Sequence, residues 1–280
     1  MGLIDFILNI AGLLLWLSWR MAKSDPMAGA TPATLAGTLR RADKPKLRGW
    51  HYPLALGLLI FLRAVVYWQI GSAVNWSASL GLAVISIPFR SDLFGRILLF
   101  SALSFSVTLA AFLLCMLFLS MISRRNAEFD AVRRFVRLQI GFLDGLPAWL
   151  KLFVPFISVS LLWWILSWLL EYRGLLPQAV SGRLRVEQSG VIGLSSYLSW
   201  KYIIAGVLTL HAVSSYVYLG SHPYWGSVTA VARQMLRPLK PVPLSAGRVD
   251  FAPLVGIALV FILSRMAEAW LAKLYSILPF

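Results

Sequence analysis

The sequence predicts an all-α, polytopic membrane protein, and three observations carry that prediction. Of its 280 residues 59% are hydrophobic and 13% charged, well below the roughly 25% charged residues of a soluble domain. Mean hydropathy is +0.76, so a monomer in water could not cover its apolar surface. Several apolar runs approach or exceed the ~17–25 residues that cross a bilayer as a helix, the form in which a segment satisfies its own backbone hydrogen bonds.

Taken in order, the candidate spans are 3–19, about 53–74, 97–121, 153–170, 199–219 and 253–275. The first, LIDFILNIAGLLLWLSW, is short and carries Asp5 and Asn9, so an interfacial helix competes with a span there. A secretory signal peptide is disfavoured, because no positive charge precedes the apolar run. Residues 1–50 then read as an apolar helix and a basic linker interrupted by Pro26, Pro32 and Pro45. Trp50 and Tyr52 mark an interface where the second span begins. Residues 51–96 hold that span and an outer loop, 97–170 a first repeated unit, 171–198 a second outer loop and 199–280 a second unit.

The formal charge of +15 is distributed unevenly. Lysines and arginines collect in 20–50, in 122–152 (with Arg133, Arg134, Arg137 and Lys151) and in 220–252 (with Arg233, Arg237, Lys240 and Arg248). The intervening connections carry fewer, so the positive-inside rule puts the three rich segments in the cytoplasm. Such cations suit anionic lipid headgroups, and without a basic soluble domain nucleic acid is not expected as a partner. Cys115 is the single cysteine, which excludes an intramolecular disulfide or a CxxC metal site.

The two units follow one plan: span, basic amphipathic stretch, proline-containing turn, span. Phe129, Val132 and Arg137 match Trp225, Val228 and Arg233 at a constant offset, and Phe153 and Pro155 match Phe251 and Pro253 with the offset lengthened by two. Trp225, Val228, Ala232, Met235 and Leu239 recur at helical spacing while Arg233, Arg237 and Lys240 fall on another face, the pattern of a helix lying in the membrane surface. Pro238 should end that helix, and Pro241 and Pro243 should hold the following residues extended. Asp250 stands where an N-cap belongs and Pro253 in the first turn of the last span.

This stretch, LRPLKPVPLSAGRVDFAPLV, resembles the signature of the YggT (YlmG) family of small integral membrane proteins. Pro238, Pro243, Gly247, Asp250, Phe251 and Pro253 occupy the family's motif positions, with Lys240 near its usual arginine and Ala252 in place of its usual serine. The resemblance covers about 197–275 well, 97–170 weakly and 1–50 not at all. In the first unit FLDGLPAWLKLFVPF keeps Asp144, Pro147 and Pro155 without the Gly-x-x-Asp spacing. The resemblance implies a duplicated unit and a role in envelope organisation, osmotic or ion tolerance, or assembly of membrane complexes, with no defined reaction and no cofactor.

Ionisable residues inside spans are costly and therefore candidates for function. Arg63, Arg265 and Glu268 lie at comparable depths, so Glu268 is expected to pair with Arg265 on its own helix or with Arg63 across the bundle. His211 is the one histidine well inside a span; a helix-to-helix hydrogen bond is the simpler expectation there, with a haem ligand as the alternative. No zinc-protease, nucleotide-loop or nucleophile-elbow motif occurs, so no catalytic or metal-binding residue is assigned. Three functions fit these features. The first is a non-enzymatic scaffold, accessory subunit or assembly factor in a bacterial inner membrane, with lipid and membrane subunits as partners. The others are a channel or carrier for osmotic balance and a haem-handling subunit.

Overall fold

The computed structural model describes residues 2–24, 49–74, 77–82, 84–91, 93–122, 130–175, 181–216, 223–242, 244–246 and 249–278. It is an all-α membrane protein: among the described residues six helical stretches are long and apolar enough to cross a bilayer. The helices are α1 (Gly2–Ser24), α2 (His51–Val74), α3 (Phe94–Ile122), α4 (Asp130–Ile140), α5 (Ala148–Tyr172), α6 (Gly182–Ser195), α7 (Trp200–Tyr216), α8 (Pro223–Met235) and α9 (Ala252–Ile277). Two small paired sheets accompany them, β1 (Ala78–Leu82) with β2 (Ile85–Phe89) and β3 (Ser245–Ala246) with β4 (Val249–Asp250). The basic linker expected over 20–50 falls, beyond Ser24 and up to residue 48, outside the described residues.

The chain forms two compact units, Met1–Ala78 with Phe89–Leu109, and Ser79–Pro88 with Ala110–Phe280. In the first, α1 and α2 pack side by side. Gly12 admits the Phe105 ring so closely that a Cβ there would sit 2.8 Å from it. In the second, α6 lies along α5 and α9 along α7. The amphipathic helices α4 and α8 touch each other and turn Val132, Val136, Ile140, Val231, Ala232 and Leu236 into one core with Cys115, Met116, Val207 and Leu208. Both surface helices therefore rest on the same apolar centre, which is what their helical periodicity requires.

Three expectations change. The connection expected over 171–198 is largely helical: α6 is capped by Ser181, whose side chain accepts from the Leu184 amide, and a 3-10 turn over Ser196–Ser199 leads it into α7. Its Arg183, Arg185 and Glu187 hid the segment from a hydropathy reading, and packing on α5 makes it helical. Pro155 is not the counterpart of Pro253, for it stands inside α5 while Pro253 lies in the first turn of α9. Around Pro238 and Pro241 the chain turns instead of extending. Leu239 donates to the Leu236 carbonyl, Lys240 to Arg237 and Val242 to Leu239, so none of these bonds needs the amides that proline lacks.

The remaining chain reversals are locally determined. Gly141 (φ 57°) and Gly174 (φ 64°) take the left-handed conformation that ends helices. After α5 the Leu175 amide reaches the Leu170 carbonyl and the Gly174 amide the Glu171 carbonyl, each at 2.9 Å, which closes a Schellman cap. Asp250 helps to start α9, but one residue earlier than expected: Phe251 is the N-cap, and the Asp250 carboxylate accepts from the Ala252 amide at 2.9 Å.

The tightest helix contact supplies a test. A Cβ on Gly193 of α6 would lie 1.9 Å from Ser160 Oγ and 2.9 Å from the Phe156 carbonyl, and a backbone oxygen cannot move aside. Gly193→Ala is expected to destabilise the protein by about 1–3 kcal/mol, as overpacking generally does. Gly190→Ala, whose Cβ would meet nothing within 4 Å, should suffer only a small loss. Equal unfolding temperatures for the two variants in detergent would contradict this packing.

Candidate functional site

The first unit holds a polar cluster built from one i, i+4 pair on each of three helices: Asp5 and Asn9 on α1, Arg63 and Tyr67 on α2, Phe100 and Ser104 on α3. Arg63 is its centre, with a side chain 1% exposed. It donates to Asp5 Oδ1 at 2.6 Å, to Asn9 Oδ1 at 2.8 Å and to Ser104 Oγ at 3.0 Å. Tyr67 donates its hydroxyl to the same Asp5 oxygen at 2.6 Å, and Asn9 Nδ2 donates to Ser104 Oγ at 3.1 Å. The guanidinium also lies over the Tyr67 and Phe100 rings, 5.4 and 5.2 Å from their centroids, a geometry suited to cation–π attraction. At 1.5 Å per residue Arg63 is about 18 Å into α2, deep in a span. Its charge is neutralised and most of its donors are used, so the cluster works as a clamp joining three helices.

Glu268 joins neither Arg63 nor Arg265. Its partner is Lys201 at the start of α7, a residue that hydropathy placed at the edge of a span and that periodicity did not single out. Lys201 also lies 5.2 Å from the Tyr202 ring centroid. Arg265 is exposed on α9 and makes no ion pair or hydrogen bond with a described residue. At the other end of α5, Arg185 of α6 donates to Glu171 at 2.5 Å.

A second cluster closes the turn between α4 and α5. Asp144, on the 3-10 segment Gly141–Gly145, accepts from Ser120 Oγ at 2.6 Å. Lys151 Nζ, 5% exposed as a residue, donates to Ser120 Oγ at 2.6 Å and to the Asp144 carbonyl at 2.9 Å. Lys151, Arg137 and Arg133 stand 3.7, 3.5 and 3.9 Å from the Asp144 carboxylate. Burial alone would raise the Asp144 pKa, but the Ser120 hydroxyl and the three cations outweigh it and hold it below the usual carboxylate value. A hydroxyl beside an amine can serve as a nucleophile with its base, yet here Lys151 is the cationic partner of Asp144 and acts as a donor.

The motif-like residues over 238–253 form the corresponding turn after α8. Pro238 lies in a 3-10 turn over Arg237–Leu239, and Asp250, Phe251 and Pro253 start α9. Pro243, Gly247 and Arg248 lie outside the described residues. Arg233, Arg237 and Lys240 are exposed, while Ser227, Val231, Ala232 and Leu236 are buried, so the two faces separate as the periodicity predicts. The 3-10 segments after α4 and α8 begin at Gly141 and Arg237, the same offset that relates Val132 to Val228. Among the described residues His211 makes no helix-to-helix bond, and its Nδ1 is buried without a hydrogen-bond partner. Among the described residues no three His, Cys, Asp or Glu side chains come together to hold a metal.

Fold and clusters define a class, a polytopic helical membrane protein whose amphipathic surface helices close on one core. No family model matches the chain, and no curated protein or solved structure matches it.

Two outcomes test the clusters. Asp5→Leu leaves Arg63 buried without its counter-charge and is expected to cost about 3–5 kcal/mol, whereas Asp5→Leu combined with Arg63→Leu should cost less than that single change; unfolding in detergent measures both. For Asp144 the folded pKa lies below the unfolded value of about 3.9, so the stability it contributes is complete above that pH and lost as pH falls through the folded pKa. Asp144→Asn should therefore unfold at lower temperature than wild type at pH 7 and show a weaker loss of stability on acidification, read from thermal scans down to about pH 3.

Proposed function

We propose that this protein is a non-enzymatic scaffold or accessory subunit that helps a membrane protein complex assemble. It sits in the bacterial cytoplasmic membrane, with its basic connections, including 122–152 and 220–252, in the cytoplasm. The observation that carries the reading is how its polar groups divide. Asp5, Arg63, Lys201 and Glu268, inside the spans, are engaged with one another in ion pairs. The groups left open are apolar span faces, such as Leu161, Trp164 and Trp168 of α5, the span cation Arg265 of α9, and cations on α4, on α8 and in the turn after α8, Arg134, Arg233, Arg237 and Lys240. Apolar faces of this kind suit lipid or a neighbouring span, and the cations suit anionic headgroups or an acidic partner surface. The resemblance to the YggT family, which implies assembly of membrane complexes among other roles, is compatible with this one.

Affinity purification of the whole chain in a mild detergent tests the proposal. The expected result is reproducible recovery of particular membrane partners, reduced when Arg233, Arg237 and Lys240 are all changed to Gln. Repeated recovery of the chain alone would overturn it, and a solute flux across liposomes abolished by Glu268→Leu would favour a carrier instead.

A further inference from the structure

Arg265 is the span residue whose placement the fold itself leaves unexplained. It lies about 13 residues into α9, roughly 20 Å from the helix start at 1.5 Å per residue, within the hydrocarbon thickness of about 30 Å. It is exposed and makes no hydrogen bond or ion pair with a described residue, although a cation facing lipid is strongly disfavoured. It stands near the middle of α9, which runs Ala252–Ile277, and is about 18 Å or more from either end at 1.5 Å per residue. The carboxylate one turn on, Glu268, is already bound to Lys201. Lys201, Arg265 and Glu268 thus leave one positive charge uncompensated. Around it the face formed by Leu254, Ala258, Phe261, Ile262 and Ala269 is open, and the small side chains of Ala258 and Ala269 on either side of Arg265 permit close approach of another helix.

We propose that this face of α9 docks a transmembrane helix of another protein that carries an aspartate or glutamate within the bilayer, paired to Arg265. The inference rests on the accessory-subunit reading and states what kind of subunit is bound. An acidic residue in a span is as disfavoured in lipid as Arg265 is, so each helix is better accommodated in the complex than alone. The pairing also selects: an apolar helix could lie on the same face but would leave the guanidinium without a counter-charge.

The test uses the full chain, labelled with a donor fluorophore on a C-terminal tag, in phosphatidylcholine vesicles. The probes are dilute acceptor-labelled leucine-based spanning peptides that differ only in a central Glu or Leu. The Glu peptide is expected to associate roughly three- to tenfold more tightly, the scale of one polar contact between membrane helices. Arg265→Leu should abolish that preference and Arg265→Lys retain it, with unfolding temperature confirming that each variant is folded. Equal association of the two peptides, or a Glu preference that survives Arg265→Leu, would overturn the proposal. So would energy transfer between two labelled copies of the chain that is lost in Arg265→Leu, since the occupant would then be a second copy. If membrane partners co-purify yet the peptides bind alike, this inference fails while the accessory-subunit reading stands.

Discussion

A charge placed in hydrocarbon must find its opposite on a neighbouring helix, because no water is there to solvate it, and that constraint organises the first unit. Arg63 draws Asp5 and Asn9 from α1 and Ser104 from α3 around one guanidinium. The hydrophobic effect does little to press one helix against another within lipid, so directional polar contacts and close packing must do that work. Gly12 against Phe105 supplies the close packing beside the ion pair. Polar side chains that look like defects in an apolar span thereby specify which helices meet and in what register.

The second unit meets a related constraint in the segments that connect its long apolar helices. Its connecting segments must reverse direction without leaving backbone groups unpaired, and α4 and α8 do so with the same opening move, an amphipathic helix and then a 3-10 turn. The two turns are secured differently. After α4 the turn is held by side chains, with Asp144, Ser120 and Lys151 bonded together. After α8 it is held by backbone, through successive turn bonds around the prolines and a short β3–β4 pairing in which Ala246 faces Val249. The turn after α4 has thus committed Asp144 to a buried ion cluster, and the turn after α8 has committed Asp250 to starting a helix. The two connections therefore share a helix followed by a 3-10 turn and differ in what their acidic residue does.

Several parts of this arrangement were legible in the residues. The spacing of Val132, Val136 and Ile140, and of Val228, Ala232 and Met235, fixes which side of α4 and α8 turns inward, since a helix has only one way to bury such a stripe. Asp5 and Asn9 read alone merely weakened the case for a span; their i, i+4 spacing, matched by Arg63 and Tyr67, was the signal that they share a helix face. No spacing rule linked Glu268 to Lys201, because two helices far apart in sequence meet there only after folding. Residues 182–198 misled for a similar reason, as a polar, glycine-containing segment becomes a helix once α5 covers one side of it.

By itself the sequence determined that this chain lives in a bilayer, how many long apolar helices it has, and which faces of its surface helices are basic. Those properties arise from composition and local periodicity, which no folding step alters. Only the tertiary structure decided which charges neutralise which. Arg63 could have met any carboxylate at its depth, and it took Asp5 because α1 and α2 run past each other in a register that places both i, i+4 pairs together. Glu268 went to Lys201 for the same kind of reason, and Arg265 stayed open because no other described helix of its unit brings a carboxylate to that face.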